Sequence, residues 1–201
     1  MPYPEAVTCT NLQLWIDRLS AASRLTLGED PQAAMERILH GPTGNIRLAG
    51  LVADALGRQS KTDLEPESLD EVLFLATLGR HECPVIPGNS AGITGEPTGP
   101  AIEVWTETEL AAVHAAWSLG HDWRTEARRA AAWLVDNIQP DNATNRPWGV
   151  HVFVSLAHET GGAQYELYAQ TLLHNCQVMT GRPDDFSAMI LLHAARELQA
   201  G

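Results

Sequence analysis

Histidine is the residue type in this sequence with the widest chemical reach. It occurs at positions 40, 81, 114, 121, 151, 158, 174 and 193. An imidazole can bind a metal, or move a proton near neutral pH. His114/His121 and His151/His158 are each seven residues apart. On a helix that spacing predicts one face, with the two rings about 10 Å apart along the axis. Zinc-binding pairs on a helix sit four apart instead, so no metal site is expected. Two histidines from neighbouring helices could still meet. His151, His174 and the adjacent Asn175 are the candidate catalytic set, with an imidazole as general base. The segment from Asp141 to Trp148 supplies candidate ligand-binding residues: Asn142, Arg146 as an anion clamp, and Trp148 as a pocket wall. Asn and Asp favour turns and caps, and His174-Asn175 could bind the Asn-rich segment rather than a ligand.

Other chemistry is excluded by pattern. The chain has no GxGxxG, Walker, GxSxG or HExxH motif, so no cofactor is expected. His81-Glu82-Cys83-Pro84 lacks a second pair at ligand spacing and reads as a loop. Glu107/Glu109 and Asp184/Asp185 read as helix starts, where acids favour the dipole. Thr106 with Glu109 fits a capping box.

Composition sets the class. The 201 residues carry 25 acidic and 13 basic side chains, a formal charge of −12, and Lys61 is the lone lysine. The charge divides evenly between the halves. No basic stripe exists to neutralise phosphates, so nucleic acid is excluded as a partner. Hydrophobic content of 44% is too high for a disordered acidic tail. No apolar run reaches membrane-spanning length. The first residues, MPYPEAVTCTNLQLWIDRL, lack a signal-peptide pattern, and a cytoplasmic location is expected.

The elements that must position these residues are helices. In the C-terminal block, Leu110, Val113 and Trp117 share one helical face, and Gly120 stops the helix. Ala127, Ala131, Leu134 and Ile138 repeat the pattern after a cap at Asp122, and Pro140 ends it. Pro147 suits the first turn of a third helix, which Gly161-Gly162 ends. A fourth helix is predicted over Ala163–Met179, and Pro183 with Asp184 opens a last one. The N-terminal candidates are Asn11–Leu27, Pro31–Leu39, Thr43–Leu56 and Pro66–Leu78. Turns at Gly28, Gly120 and Gly181 mark helical hairpins. Residues 79–104 form a Gly/Pro-rich loop between 5–78 and 105–199, within a single helical domain over 1–201. Of the six tryptophans, 117, 123 and 133 fall around one hairpin and 105 lies just before it, where indoles pack helix interfaces.

The stretch ELAAVHAAWSLGHDWRTEARRAAAWLVDNIQPDNATNRPW, with the following YELYAQTLLHNCQVMTGRPDDFSAMILLHAAREL, resembles two hairpins of α/α-toroid proteins. These are the terpenoid cyclases and protein prenyltransferase β subunits. The resemblance covers about residues 105–199 and implies a partial α/α toroid. The QxxxGxW repeats and the DxDD motif are absent, so no catalytic residue is carried over.

The fold class is therefore all-α, built of antiparallel helical hairpins. Two functions fit it. One is a helical scaffold or protein-interaction module, with a protein partner or a second copy of the chain. The other is a small-molecule-binding protein or enzyme with a cavity between hairpins. It would use His151, His174, Asn175 and Arg146, with the 79–104 loop as a lid.

Overall fold

A computed structural model describes residues 10–40, 45–56, 65–77, 82, 84–85, 92–95, 102–139 and 145–201. The described residues form nine helices and no strand. They are α1 (Leu12–Leu27), α2 (Pro31–His40), α3 (Ile46–Leu56), α4 (Leu69–Thr77), α5 (Ile102–Ser118), α6 (His121–Asn137), α7 (Val150–Thr160), α8 (Ala163–Asn175) and α9 (Asp185–Ala200). The β-branched run at 150–154 is helical because it begins α7 behind the turn at Trp148-Gly149. α8 is shorter than its periodicity predicts. A turn from Cys176 to Thr180 replaces its last residues, and Gly181 closes that turn at φ +73°.

Three helices are buried nearly all round. α5 is buried continuously from Glu109 to Trp117, α7 from Val150 to Val154, and α9 from Ser187 to Ala195. A helix with no exposed stripe belongs at the centre of a core. The packing agrees. α3 contacts α4, α4 contacts α5, α5 contacts α7, α7 contacts α9, and α9 returns to α3. The remaining helices lie against this succession: α1 on α9 and α7, α2 on α3, α6 on α5 and α7, and α8 on α7. α1 shows the one-faced pattern of an outer helix. Trp15, Ile16, Leu19, Ala22 and Ser23 face in, and Leu14, Arg18, Ala21 and Leu25 face out.

Two helix starts differ from their predicted caps. α6 begins at His121 behind Gly120, with no side-chain cap, so Asp122 lies in its first turn instead. α5 begins at Ile102, which places Thr106 and Glu109 inside the helix. The Thr106 hydroxyl donates to the Ile102 carbonyl, one turn back. The last helix starts as expected. Asp184 Oδ1 accepts from the Ser187 N–H at 2.7 Å and from Arg146 at 2.7 Å. Partial burial raises the Asp184 pKa, but the Ser187 and Arg146 contacts outweigh it, and the carboxyl titrates below its ordinary 3.8. Asp184→Ala is expected to cost about 1–2 kcal/mol of stability in urea unfolding, and Asp184→Asn less, because the amide oxygen keeps the cap. Equal losses for both would show that the charge, not the cap, is what matters.

Candidate functional site

The central helices bring three imidazoles together. His114 of α5, His151 of α7 and His193 of α9 have ring centroids 4.5 Å (114–151), 4.9 Å (114–193) and 6.4 Å (151–193) apart. His114 and His151 are fully buried and His193 almost so. Phe74 of α4 and Trp148 close the cluster, with Trp148 edge-on to His114 at 5.3 Å and Phe74 at 6.3 Å. Trp117 stands edge-on to His151 on another side, at 5.9 Å. On its own ring Trp117 carries the guanidinium groups of Arg124 and Arg128, each 5.3 Å from the centroid.

Hydrogen bonding sets the tautomer of His114. The backbone N–H of Gly149 points at His114 Nδ1, 3.1 Å away. An N–H can only donate, so Nδ1 carries no proton. The neutral ring then bears its proton on Nε2, which lies 3.0 Å from His193 Nδ1. Nε2–H therefore donates to His193, and the chain Gly149 → His114 → His193 has one direction. Gly149 reaches this position in a left-handed conformation, at φ +67°, which glycine adopts without steric cost.

Burial sets the charge. Desolvation holds the His114 pKa well below 6.5, and His151 and His193 reinforce it. Desolvation does the same to His151, reinforced by His193 and Arg124. His114 and His151 are thus uncharged in the folded protein. His151 stands apart in one respect: neither of its ring nitrogens has a hydrogen-bond partner, and nor does the Trp148 indole N–H. Among the described residues, no three metal-binding side chains stand together in ligating geometry.

A second polar node lies near the start of α5's buried run. Glu109 Oε1 accepts from the Ile93 N–H at 2.6 Å, and Oε2 from the Thr94 N–H at 2.8 Å and the Thr94 hydroxyl at 2.7 Å. Arg129 donates to the Gly92 carbonyl at 3.3 Å. The carboxyl group is buried, and desolvation raises its pKa above 4.5, against the lowering effect of the Thr94, Ile93 and Arg129 contacts. A Cβ on Gly92 would stand 2.5 Å from the Glu109 carboxyl carbon, so any larger residue there would push the carboxylate off its place. Part of the Gly/Pro-rich segment is thereby strapped to the core, with Ile93 buried beneath it.

No family model matches this chain, and neither curated proteins nor solved structures give a match.

The residues expected to act together are separated. His151 lies inside the cluster, whereas His174 is exposed near the end of α8 and Asn175 is half-buried beside it. The general-base pairing of His151 with His174 is not formed, because α8 turns His174 outward. Arg146 clasps Asp184 and lies over the Phe186 ring at 4.6 Å. Trp148 is fully buried against His114 and Phe186 rather than lining an open pocket. Asn142 lies outside the described residues, as do His81 and Cys83. The seven-residue pairs also divide. His121 opens a different helix from His114 and is exposed. His158 shares α7 with His151 but sits near the Thr10 carbonyl, 2.8 Å away. Cys176, at the C-terminal end of α8, is a free buried thiol, and desolvation pushes its pKa up to about 12.

The sequence held a signal for the true cluster. His114 interrupts the apolar run Leu110–Trp117, and His193 the run Met189–Ala195. A polar side chain inside a run that is buried all round must find a partner within the core.

Proposed function

We propose that this chain is a helical protein-interaction module. One observation carries the reading. Of the eight large hydrophobic side chains exposed among the described residues, five lie on α1, α8 and the turn that follows α8: Leu14, Leu25, Leu167, Val178 and Met179. The two ends of α1 are tied to that neighbourhood. Thr10 and the Trp15 indole donate to Glu166 in the first turn of α8, and Thr26 donates to the Pro183 carbonyl beyond its end. Exposed apolar side chains thus concentrate on two elements that hydrogen bonds hold together, and exposed apolar surface of this kind marks a contact site. The imidazoles, by contrast, are sealed in the core. The closed succession of contacts from α3 to α9 supports, within the same proposal, a partial α/α-toroid arrangement.

A photo-crosslinking residue placed at Leu25 tests the reading in cells that express the protein. Discrete adducts are expected from position 25 and none from a control at Asp136, which is exposed on α6. Equal labelling at the two positions would overturn it. A companion variant, Leu14→Asp with Leu25→Asp, should keep the melting temperature, since neither side chain is in the core. A large fall would mean that the surface belongs to the fold.

The unpartnered nitrogens of His151 favour a second reading, a small polar guest at the cluster. It predicts that a guest copurifies, which elemental analysis and native mass spectrometry would detect. An unliganded mass throughout would dismiss it.

A further inference from the structure

The exposed stripe on α1 has a spacing that selects its occupant. Leu14, Arg18, Ala21 and Leu25 recur at i, i+4, i+7 and i+11, the seam of a helix that packs along another helix. Asp17 and Arg24, both exposed, flank the seam. We infer that a second copy of this chain docks there, with its α1 antiparallel to the first, about a two-fold axis. The inference rests on the interaction-module reading and names its partner.

The orientation follows from charge. In a parallel pair the flank that carries Asp17 and Arg24 would face the partner's opposite flank, where Trp15 and Ala22 are turned into their own core, and neither charge would find a partner. In the antiparallel pair, each Asp17 approaches Arg24 of the other copy, and each Leu14 meets the other Leu25. A two-fold axis makes each contact occur twice, as a self-complementary surface requires. Arg18 would otherwise place a cation in the middle of the seam. Its guanidinium lies over the Trp15 ring of its own protomer, 4.5 Å from the centroid, and is held there by the indole face. Leu14, Ala21 and Leu25 of each copy cover less than the roughly 1,200–2,000 Å² of a standard interface. The dimer is therefore weak, with a Kd on the order of micromolar to tens of micromolar.

Sedimentation equilibrium on the full chain from about 1 μM to 1 mM tests this. A monomer–dimer equilibrium is expected. Leu14→Asp should abolish it, and Asp17→Arg should weaken it at least about fivefold, the loss of two charge pairs of modest strength. The double exchange Asp17→Arg with Arg24→Asp restores opposite charges across the axis and should recover the wild-type Kd. That recovery is something a merely misfolded variant could not show. A monomer at every concentration would overturn the inference, and so would a dimer indifferent to Leu14→Asp and to both charge variants. The crosslink at position 25 keeps the two proposals apart. An adduct of twice the chain mass supports the second copy. An adduct of any other mass overturns the second copy and leaves the interaction module standing. Equal labelling at 25 and 136 removes both.

Discussion

Acidification from pH 7.5 to 5.5 is expected to cost this fold about 3 kcal/mol of stability. The cost comes from His114 and His151. Each is buried and uncharged in the folded protein, with a pKa held well below 6.5. In the unfolded chain both rings regain an ordinary value near 6.5. Above that pH neither state binds the protons, and the full stability is present. Below it the unfolded state takes up a proton at each ring and the folded state does not, so stability falls as pH falls, by about 1.4 kcal/mol per unit for each ring. The fall continues until the folded pKa values are reached. Protonating His114 at Nδ1 would also remove the acceptor of the Gly149 N–H.

The charged groups around the cluster act in both directions. Arg124 adds positive charge on the α6 side. On α4, Asp70 is engaged by Arg47 of α3. Glu109 on α5 works in the opposite sense: its folded pKa is raised, so its stabilising contribution is lost as pH rises through that value and regained on acidification. A variant separates the two. His151→Phe keeps the ring volume and removes an imidazole with no hydrogen-bond partner. The slope of stability against pH between 6.5 and 5.5 should fall by half. Urea titrations at several pH values measure it. An unchanged slope would show that His151 is already protonated, or solvated, in the folded state.

Removing the Glu109 side chain should be the most damaging single change in the strap, at about 3–5 kcal/mol for Glu109→Ala. Three donors, the Ile93 and Thr94 N–H groups and the Thr94 hydroxyl, would lose their acceptor at once. Arg129 would lose a neighbouring counter-charge. Glu109→Gln should cost less, about 1–3 kcal/mol, because one oxygen survives while the amide NH₂ turns a donor toward another donor. Hydrogen exchange gives a local readout. The Ile93 and Thr94 amides should exchange faster in Glu109→Ala, whereas amides in α7 and α9 should change only through the global loss of stability. A cost under about 1 kcal/mol, or unaltered exchange at 93 and 94, would show that the strap is held by the burial of Ile93 instead.

Local pattern carried most of the secondary structure. Gly28, Gly120 and Gly181 mark the turns because each holds a positive φ. Asp184 caps α9 because its short carboxylate reaches the Ser187 N–H. The 3.6-residue period located α1, α6 and α9 to within a few residues, and the C-terminal end of α5. Where local reasoning failed, a distant partner had outbid a near one. Glu109 has the spacing of a capping box with Thr106, yet it serves backbone groups 15 and 16 residues upstream, because α5 extends a full turn further back. His174 and His151 lie on consecutive helices, yet one is exposed and the other fully buried.

By itself the sequence determined an acidic, all-helical chain with hairpin turns at identifiable glycines. Those features depend on φ preferences, caps and periodicity, all of which act over a few residues. Only the tertiary structure decided which histidines meet. His114, His151 and His193 are 37 and 42 residues apart in the chain. Periodicity reports that a position is buried, but it carries no information about which helix supplies the neighbour. That choice is made when the central helices pack, and it turned three unremarkable imidazoles on α5, α7 and α9 into one cluster.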